Sequence, residues 1–439
     1  MFGLYSEIME SGSNIQIKRT GNPFVDQGLC CIAALAELEH VNQLTIDDLK
    51  KVFYRNDIDI SSVNKSLKSF TMVFGTNGPL YQNAFKPNNE KIYTEFMQEL
   101  LNGIPAEGTL VCECCGKTYG CDINDAWKVV VEEFSLKDKG RKYIGRDFFP
   151  LIGSLGNDAQ ALPCASKIHD ICPACLFAVN YIPLSTMLIK GKLVCFESTS
   201  EDLMLDLAAK CVKENLVRNA AGEKEILGKK DGPSKIMGKF LEIFSDLSGD
   251  YKISDHDAVY VWCFSNSGTG ADCNIIEIPN NALKFLYSLS KKSSELKKEF
   301  LAFLSSDKGY LFESILNGSD CKTLYPFKKK TGASKELYEL YQTEIVGRTK
   351  GSLRFAEKLA AKSTDGKTQK EREKAISSDM FKKRSERDKI RKTIPEMILS
   401  GEASYDDYAA LFNPEEEYLK QDTVKDYDPI MYYMYHPDT

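Results

Sequence analysis

Histidine is scarce in this sequence, with four among 439 residues (His40, His169, His256 and His436). Catalysis finds little support among them. No G-x-S-x-G, H-E-x-x-H or H-x-E…P-C-x-x-C segment occurs. The glycine-rich stretch Ser265–Ala271 lacks both the Gly-Lys-Ser/Thr ending of a P-loop and the spacing of a dinucleotide fingerprint. The one tempting site is Asp255-His256-Asp257, read as a metal-dependent nuclease. Adjacent residues on a strand point to opposite faces, and no further ligands stand at metal-site spacing, so His256 reads as a residue at the start of a strand. The expectation is that the chain is not an enzyme.

Long apolar runs are also missing. None approaches the roughly 20 residues needed to span a bilayer. The opening residues Met-Phe-Gly-Leu-Tyr-Ser-Glu lack the basic and apolar blocks of a signal peptide. Fourteen cysteines are diluted through a large chain, unlike a small secreted disulfide scaffold. A cytoplasmic chain with reduced thiols is expected. A basic excess is absent too: the net charge is −6, which argues against a globally basic nucleic-acid binder but leaves room for a local patch.

What is present starts with cysteine spacing. Cys112-Glu-Cys-Cys115-Gly-Lys and Cys172-Pro-Ala-Cys175 are each a C-x-x-C, the spacing that lets two thiolates reach one tetrahedral zinc from a tight turn. Gly116 suits the left-handed backbone of such a knuckle. Together Cys112, Cys115, Cys172 and Cys175 would make a structural zinc site with no open coordination position. Unpaired buried cysteines and a redox pair are the alternatives. Cys114, Cys121 or His169 could take the place of one ligand.

Along the chain, Thr20-Gly-Asn-Pro-Phe-Val-Asp-Gln-Gly28 opens a buried helix, with Asn22 as cap and Pro23 at the first position. Gly28 inside that helix admits a close neighbour, by packing or by a ligand. Thr45 and Asp48 form a capping-box start. Ser69–Phe74 reads as a strand, and Lys86–Glu90 leads into a helix ending near Leu101. Later, Met187–Ile189 and Lys192–Phe196 read as strands, Asp202–Glu214 as a helix, and Asp257–Phe264 with Cys273–Pro279 as a hairpin.

Between the cysteine pairs lies a basic stretch in which Lys137, Lys139, Arg141, Lys142 and Arg146 crowd around Tyr143 and glycines. It fits phosphate contact with an aromatic available to stack, and Asn157 could read a base edge. The alternative is a solvated loop. From Tyr325 onward helical residues dominate. Lys328–Lys392 holds about 20 basic against about 10 acidic residues, densest at Lys382, Lys383 and Arg384, after which the balance turns acidic.

Taken in order from about residue 20 to 290, these features resemble the CXXC–CXXC family of large subunits of type I-B CRISPR Cascade complexes. The resemblance rests on the Thr20–Gly28 segment, the paired C-x-x-C motifs, Phe149-Pro-Leu-Ile-Gly-Ser…Gly156-Asn-Asp-Ala159, and Phe264-Ser-Asn…Ile278-Pro279. It implies structural zinc on the four cysteines and a place beside crRNA and the other Cascade subunits. It further implies recognition of the PAM on target duplex DNA, help in opening that duplex and guiding the displaced strand, and recruitment of a separate nuclease-helicase. No family motif fixes Lys137, Lys139, Arg141, Lys142, Arg146, Asn157, Lys382, Lys383 or Arg384 as contacts. A free-standing zinc-ribbon DNA-binding protein is the alternative, and a metal-dependent nuclease the weaker one.

The expected fold is α+β: a mixed N-terminal region (1–110), an inserted four-cysteine zinc-binding subdomain with the basic loop (111–180), a continuation of the mixed region (181–324), and a C-terminal helical bundle (325–439).

Overall fold

The computed structural model describes residues 15–74, 78–137, 143–152, 169–189, 191–222, 232, 234–247, 253–267, 270–326, 331–377, 380–412 and 427–436. The chain divides into two compact units. One holds 1–235 with 254–278, the other 236–253 with 279–439. Helix and sheet are mixed in the first, and the C-terminal region is helical, as expected for the α+β class. Among the described residues no helix is long and apolar enough to cross a membrane.

The first unit is built around helix α1 (Pro23–Leu35). The Asn22 side chain accepts from the Phe24 and Val25 backbone N–H groups, and Pro23 sits at the first helical position, where its missing donor costs nothing. The buried Asp26 carboxylate accepts from the Thr20 N–H (2.6 Å) and hydroxyl (2.9 Å) and the Gly21 N–H (3.1 Å), tying the incoming chain to the helix. Gln27 reaches the other way. Its Nε2 donates to the Ser185 carbonyl and its Oε1 accepts from the Phe196 N–H, both at 2.9 Å.

Helix α2 (Ile46–Phe53) starts in the expected capping box, with Thr45 and Asp48 bonded reciprocally. Helices α3 (Ile60–Ser66) and α4 (Lys68–Phe74) follow. The strand expected at Ser69–Phe74 is therefore a helix. Leu67, Phe70, Val73 and Phe74 are buried, and their spacing of three and four places them on one helical face. Packing overrides the strand preference of Phe, Thr and Val. Helix α5 (Asn89–Gly103) is the helix expected after Lys86–Glu90.

A two-stranded ribbon of β1 (Leu110–Val111) and β2 (Thr118–Tyr119) precedes helix α6 (Ile123–Glu133). Trp127 of α6 lies against Phe85 and Phe96, with ring centroids 5.8 and 5.9 Å away. Helices α7 (Pro173–Val179) and α8 (Ile182–Ser185) lead into a four-stranded antiparallel sheet in the order β3 (Met187–Ile189), β4 (Lys192–Ser198), β5 (Val259–Ser267), β6 (Gly270–Ile278). The expected hairpin is β5–β6, paired without interruption from Val259↔Ile278 to Ser267↔Gly270. Helix α9 (Glu201–Ala220) covers the expected Asp202–Glu214 helix.

The second unit holds α10 (Ser234–Asp246, from residue 236), α11 (Asn280–Ser290), α12 (Ser294–Ser306), α13 (Tyr310–Leu316), α14 (Lys335–Glu344), α15 (Lys350–Thr364), α16 (Gln369–Ser377), α17 (Arg384–Leu399), α18 (Tyr405–Phe412) and α19 (Asp428–Tyr435). Its core is aromatic. Tyr338 stacks on Tyr432 at 3.5 Å, and the Tyr432 hydroxyl donates to the Ala333 carbonyl at 2.7 Å. A buried tyrosine needs such a partner.

Candidate metal centre

The first cysteine pair sits at the turn of the β1–β2 ribbon. Pairing of Leu110 with Tyr119 and Val111 with Thr118 brings residues 112–117 into a tight knuckle. The Cys112 N–H donates to the Lys117 carbonyl, and the Gly116 N–H to the Cys112 carbonyl, both at 2.9 Å. Gly116 has φ +69°, the left-handed conformation that a side chain makes costly.

The second pair rides on the start of α7. Cys172 is its N-cap residue, Pro173 occupies the first helical position, and Cys175 follows within the first turn. Two contacts dock this start onto the knuckle: the Glu113 N–H donates to the Asp170 carbonyl at 2.8 Å, and the Cys172 N–H points at the Cys112 sulfur at 3.3 Å. An N–H aimed at sulfur favours the thiolate, as metal-bound cysteine requires.

Helix α7 is held from behind by glycine. A Cβ on Gly28 would lie 2.1 Å from the Ala178 carbonyl oxygen, so α1 and α7 cross at backbone contact. Packing is thus the role of Gly28. A Cβ on Gly103, at the end of α5, would meet the Cys121 sulfur at 2.6 Å and Pro173 at 3.4 Å. Gly108 and Gly120 cross just as closely beneath the ribbon.

The result brings Cys112, Cys115, Cys172 and Cys175 together, with all four sulfurs within 4.8 Å of one another. Cys112–Cys175 is 3.8 Å and Cys115–Cys172 is 3.7 Å. These spacings far exceed a disulfide bond of about 2.05 Å. A tetrahedron with Zn–S of about 2.3 Å has an S–S edge of about 3.8 Å, so the donor set fits zinc in size and in softness. Cys112, Cys172 and Cys175 are buried and Cys115 is half-buried.

Electrostatics point the same way. Hydrogen bonds from Cys114 first, then Cys115, Cys172 and Cys175, hold the Cys112 thiol well below its ordinary value. The Cys112 sulfur pushes Cys115 up, but bonds from Cys172 and Cys175 prevail and bring it down to about 7. Cys172 and Cys175 are driven up, above all by Cys112. Four crowded thiols cannot all ionise unless a cation sits among them. Zinc bound by these four would close residues 116–171 into a loop and leave no coordination position for chemistry.

Of the alternative ligands, His169 and Cys121 are engaged elsewhere, and Cys114 bonds to Cys112 and Cys175 from beside the cluster. His169 Nδ1 lies 2.9 Å from the Glu113 carboxylate. The Cys121 thiol donates to the Asp122 carbonyl at 3.7 Å and is pushed up to about 11 by burial. Cys114 stays outside the four-sulfur group and is pushed up to about 12, chiefly by Cys112. His256 lies in an exposed turn before β5, its N–H bonded to the Ser254 hydroxyl. Among the described residues the four cysteines are the one group placed to hold a metal.

Of the proposed nucleic-acid contacts, Lys139, Arg141, Lys142 and Asn157 lie outside the described residues. Lys137 is exposed just beyond α6 and Arg146 is half-buried. Lys382, Lys383 and Arg384 are exposed at the start of α17, with Arg384 3.9 Å from Asp388. Other basic residues of this region are engaged: Lys335 with Glu357, and Lys358 and Lys362 with Glu402. The residues that position the site and that spacing did not single out are Gln27, Gly103, Gly108 and Gly120. A signal for Gln27 lay in a polar residue inside an apolar helix.

Residues 131–187 match the family model described as CRISPR-associated protein (Cas_CXXC_CXXC), which supports a CRISPR-associated family for this chain. The matched stretch includes Cys172, Cys175 and the basic residues between the cysteine pairs. No curated protein and no solved structure matches the chain.

Proposed function

We propose that this chain is the large subunit of a type I-B CRISPR Cascade complex, a non-catalytic subunit that recognises the PAM on target DNA. The observation carrying the reading is the family match across a segment rooted in the four-thiol cluster. Zinc at that cluster is structural in this reading. On that reading it steadies the segment bearing Lys137, Lys139, Arg141, Lys142 and Arg146, which meets duplex phosphates, while Asn157 reads a base edge. Lys382, Lys383 and Arg384 at the start of α17 follow the displaced single strand, through charge alone and without sequence preference. The partners are crRNA, the other Cascade subunits and a separate nuclease-helicase, in the cytoplasm.

The test is co-purification of the tagged chain expressed with its neighbouring genes and a CRISPR array. A multi-subunit particle carrying an RNA of uniform 5′ end is the expected result. Within that particle, R141E with R146E should weaken PAM-dependent duplex binding by about 100-fold or more, from two lost phosphate contacts and added repulsion. Recovery of a lone protein without RNA, or unchanged binding by the charge-reversed particle, overturns the proposal.

A further inference from the structure

The four-stranded sheet ends in β6, whose only described strand neighbour is β5. Its nine residues, Gly270–Ile278, pair with β5 along their whole length without a bulge. Edge strands expose unpaired N–H and C=O groups, and proteins that leave them unused blunt them with lysine, proline or a bulge. The sequence Gly-Ala-Asp-Cys-Asn-Ile-Ile-Glu-Ile contains no lysine, arginine or proline. Asp272, Cys273, Asn274, Ile275 and Glu277 are all exposed, Ile275 at 48 %.

The side chains along this edge have a definite chemistry. The register sets Cys195, Trp262 and Ile275 in one row and Glu197, Tyr260 and Glu277 in the next, on the same face. Ile275 thus stands beside the half-buried Trp262, whose indole N–H donates to Glu197 at 2.7 Å. Carboxylates lie near both ends of β6, Asp272 and Glu277, with Glu197 two strands in. Lys192 pairs with Asp272 at 2.6 Å. Asp272 is thus matched by a cation and has the opposite strand parity, so the face that carries Ile275 offers one exposed carboxylate on the edge strand itself, Glu277, two residues along β6.

We infer that β6 is a docking edge for an extended, basic segment of a partner polypeptide, which adds as a fifth strand. Main-chain hydrogen bonds would supply the common part of the affinity. An apolar residue against Ile275, with lysine or arginine two residues along on the same face beside Glu277, would supply the selectivity. The carboxylates disfavour nucleic acid, whose phosphates they repel. A second copy of this chain, pairing through its own β6, would bring no lysine or arginine to Glu277. The inference does not depend on the Cascade assignment.

The test uses the full chain and a blocked, labelled peptide, Thr-Lys-Thr-Val-Thr-Lys-Thr, which as a strand sets its valine and both lysines on one face, with an acidic counterpart in which glutamate replaces each basic residue. Fluorescence anisotropy should show saturable binding of the basic peptide only, and amide exchange across 272–277 should slow about tenfold or more in the complex. I275K and, separately, E277Q should each weaken binding; E277Q is a mild change at an exposed position and guards against loss of folding. Equal binding of the acidic peptide overturns the inference. So does protection that spares β6, affinity unmoved by both variants, a concentration-dependent dimer abolished by I275K, or protection of β6 by an oligonucleotide.

Discussion

The sharpest perturbation is the addition of one methyl group at Gly28. Its Cβ would sit 2.1 Å from the Ala178 carbonyl oxygen and 2.5 Å from the carbonyl carbon. Both are backbone atoms, so no rotamer change relieves the clash and α1 and α7 must separate. Overpacking of this kind costs about 3 kcal/mol, offset by about 1 kcal/mol from the higher helix propensity of alanine. The expected net loss for Gly28→Ala is about 2 kcal/mol, or roughly a 30-fold rise in local opening. Amide exchange across Pro23–Leu35 and Pro173–Val179 would report it directly. Because α7 carries Cys172 and Cys175, zinc should also leave faster to a chelator. The matched control is Gly238→Ala in α10, where a Cβ would meet only Leu301 at an ordinary 3.6 Å. There alanine should stabilise by about 0.5–1 kcal/mol. A Gly28→Ala protein as stable as the parent would refute the claim that backbone contact at this crossing positions the second cysteine pair.

Three further outcomes follow from the same structure. Cys175→Ser should reduce bound zinc from about one per chain to near zero by elemental analysis and speed amide exchange in 110–119 and 172–179, since metal binding and local folding are coupled; full zinc content would show that this sulfur is not a ligand. Gln27→Leu strands the buried Phe196 N–H and the Ser185 carbonyl, so the thermal midpoint should fall, by a cost of about 2–4 kcal/mol for two unmet groups. Asp206 of α9 is pushed up to about 6 by burial, with Asp202 adding to it. A raised carboxyl pKa means that its share of stability is full below about pH 4 and is lost as pH rises through about 6. Asp206→Asn should therefore raise stability at pH 7.5 by about 1–2 kcal/mol, after allowance for partial exposure, and change little at pH 4; denaturant titration at both pH values checks the sign.

Much of the local structure was legible because it rests on near neighbours. Asn22 and Pro23 start α1, Thr45 and Asp48 close a capping box, and Gly116 takes the left-handed turn. Each needs only residues within four positions of itself. The β5–β6 hairpin was legible for the same reason, as two β-rich runs around a glycine turn. Ser69–Phe74 misled because its β-forming residues also fit a helical face, and the choice lay with distant partners such as Pro183, whose carbonyl accepts from the Ser69 hydroxyl.

The sequence by itself singled out Cys112, Cys115, Cys172 and Cys175 through the local spacing C-x-x-C, and left Cys114, Cys121 and His169 open as substitutes for one of them. Only the tertiary structure decided how the two knuckles meet: Cys112 facing Cys175, Cys115 facing Cys172, and the Cys172 N–H turned toward the Cys112 sulfur. That meeting depends on α7 lying in backbone contact with α1 at Gly28, a residue some 150 positions away in the chain. Spacing along a chain carries no information about which distant glycine a helix will settle against; close packing of the whole core settles it.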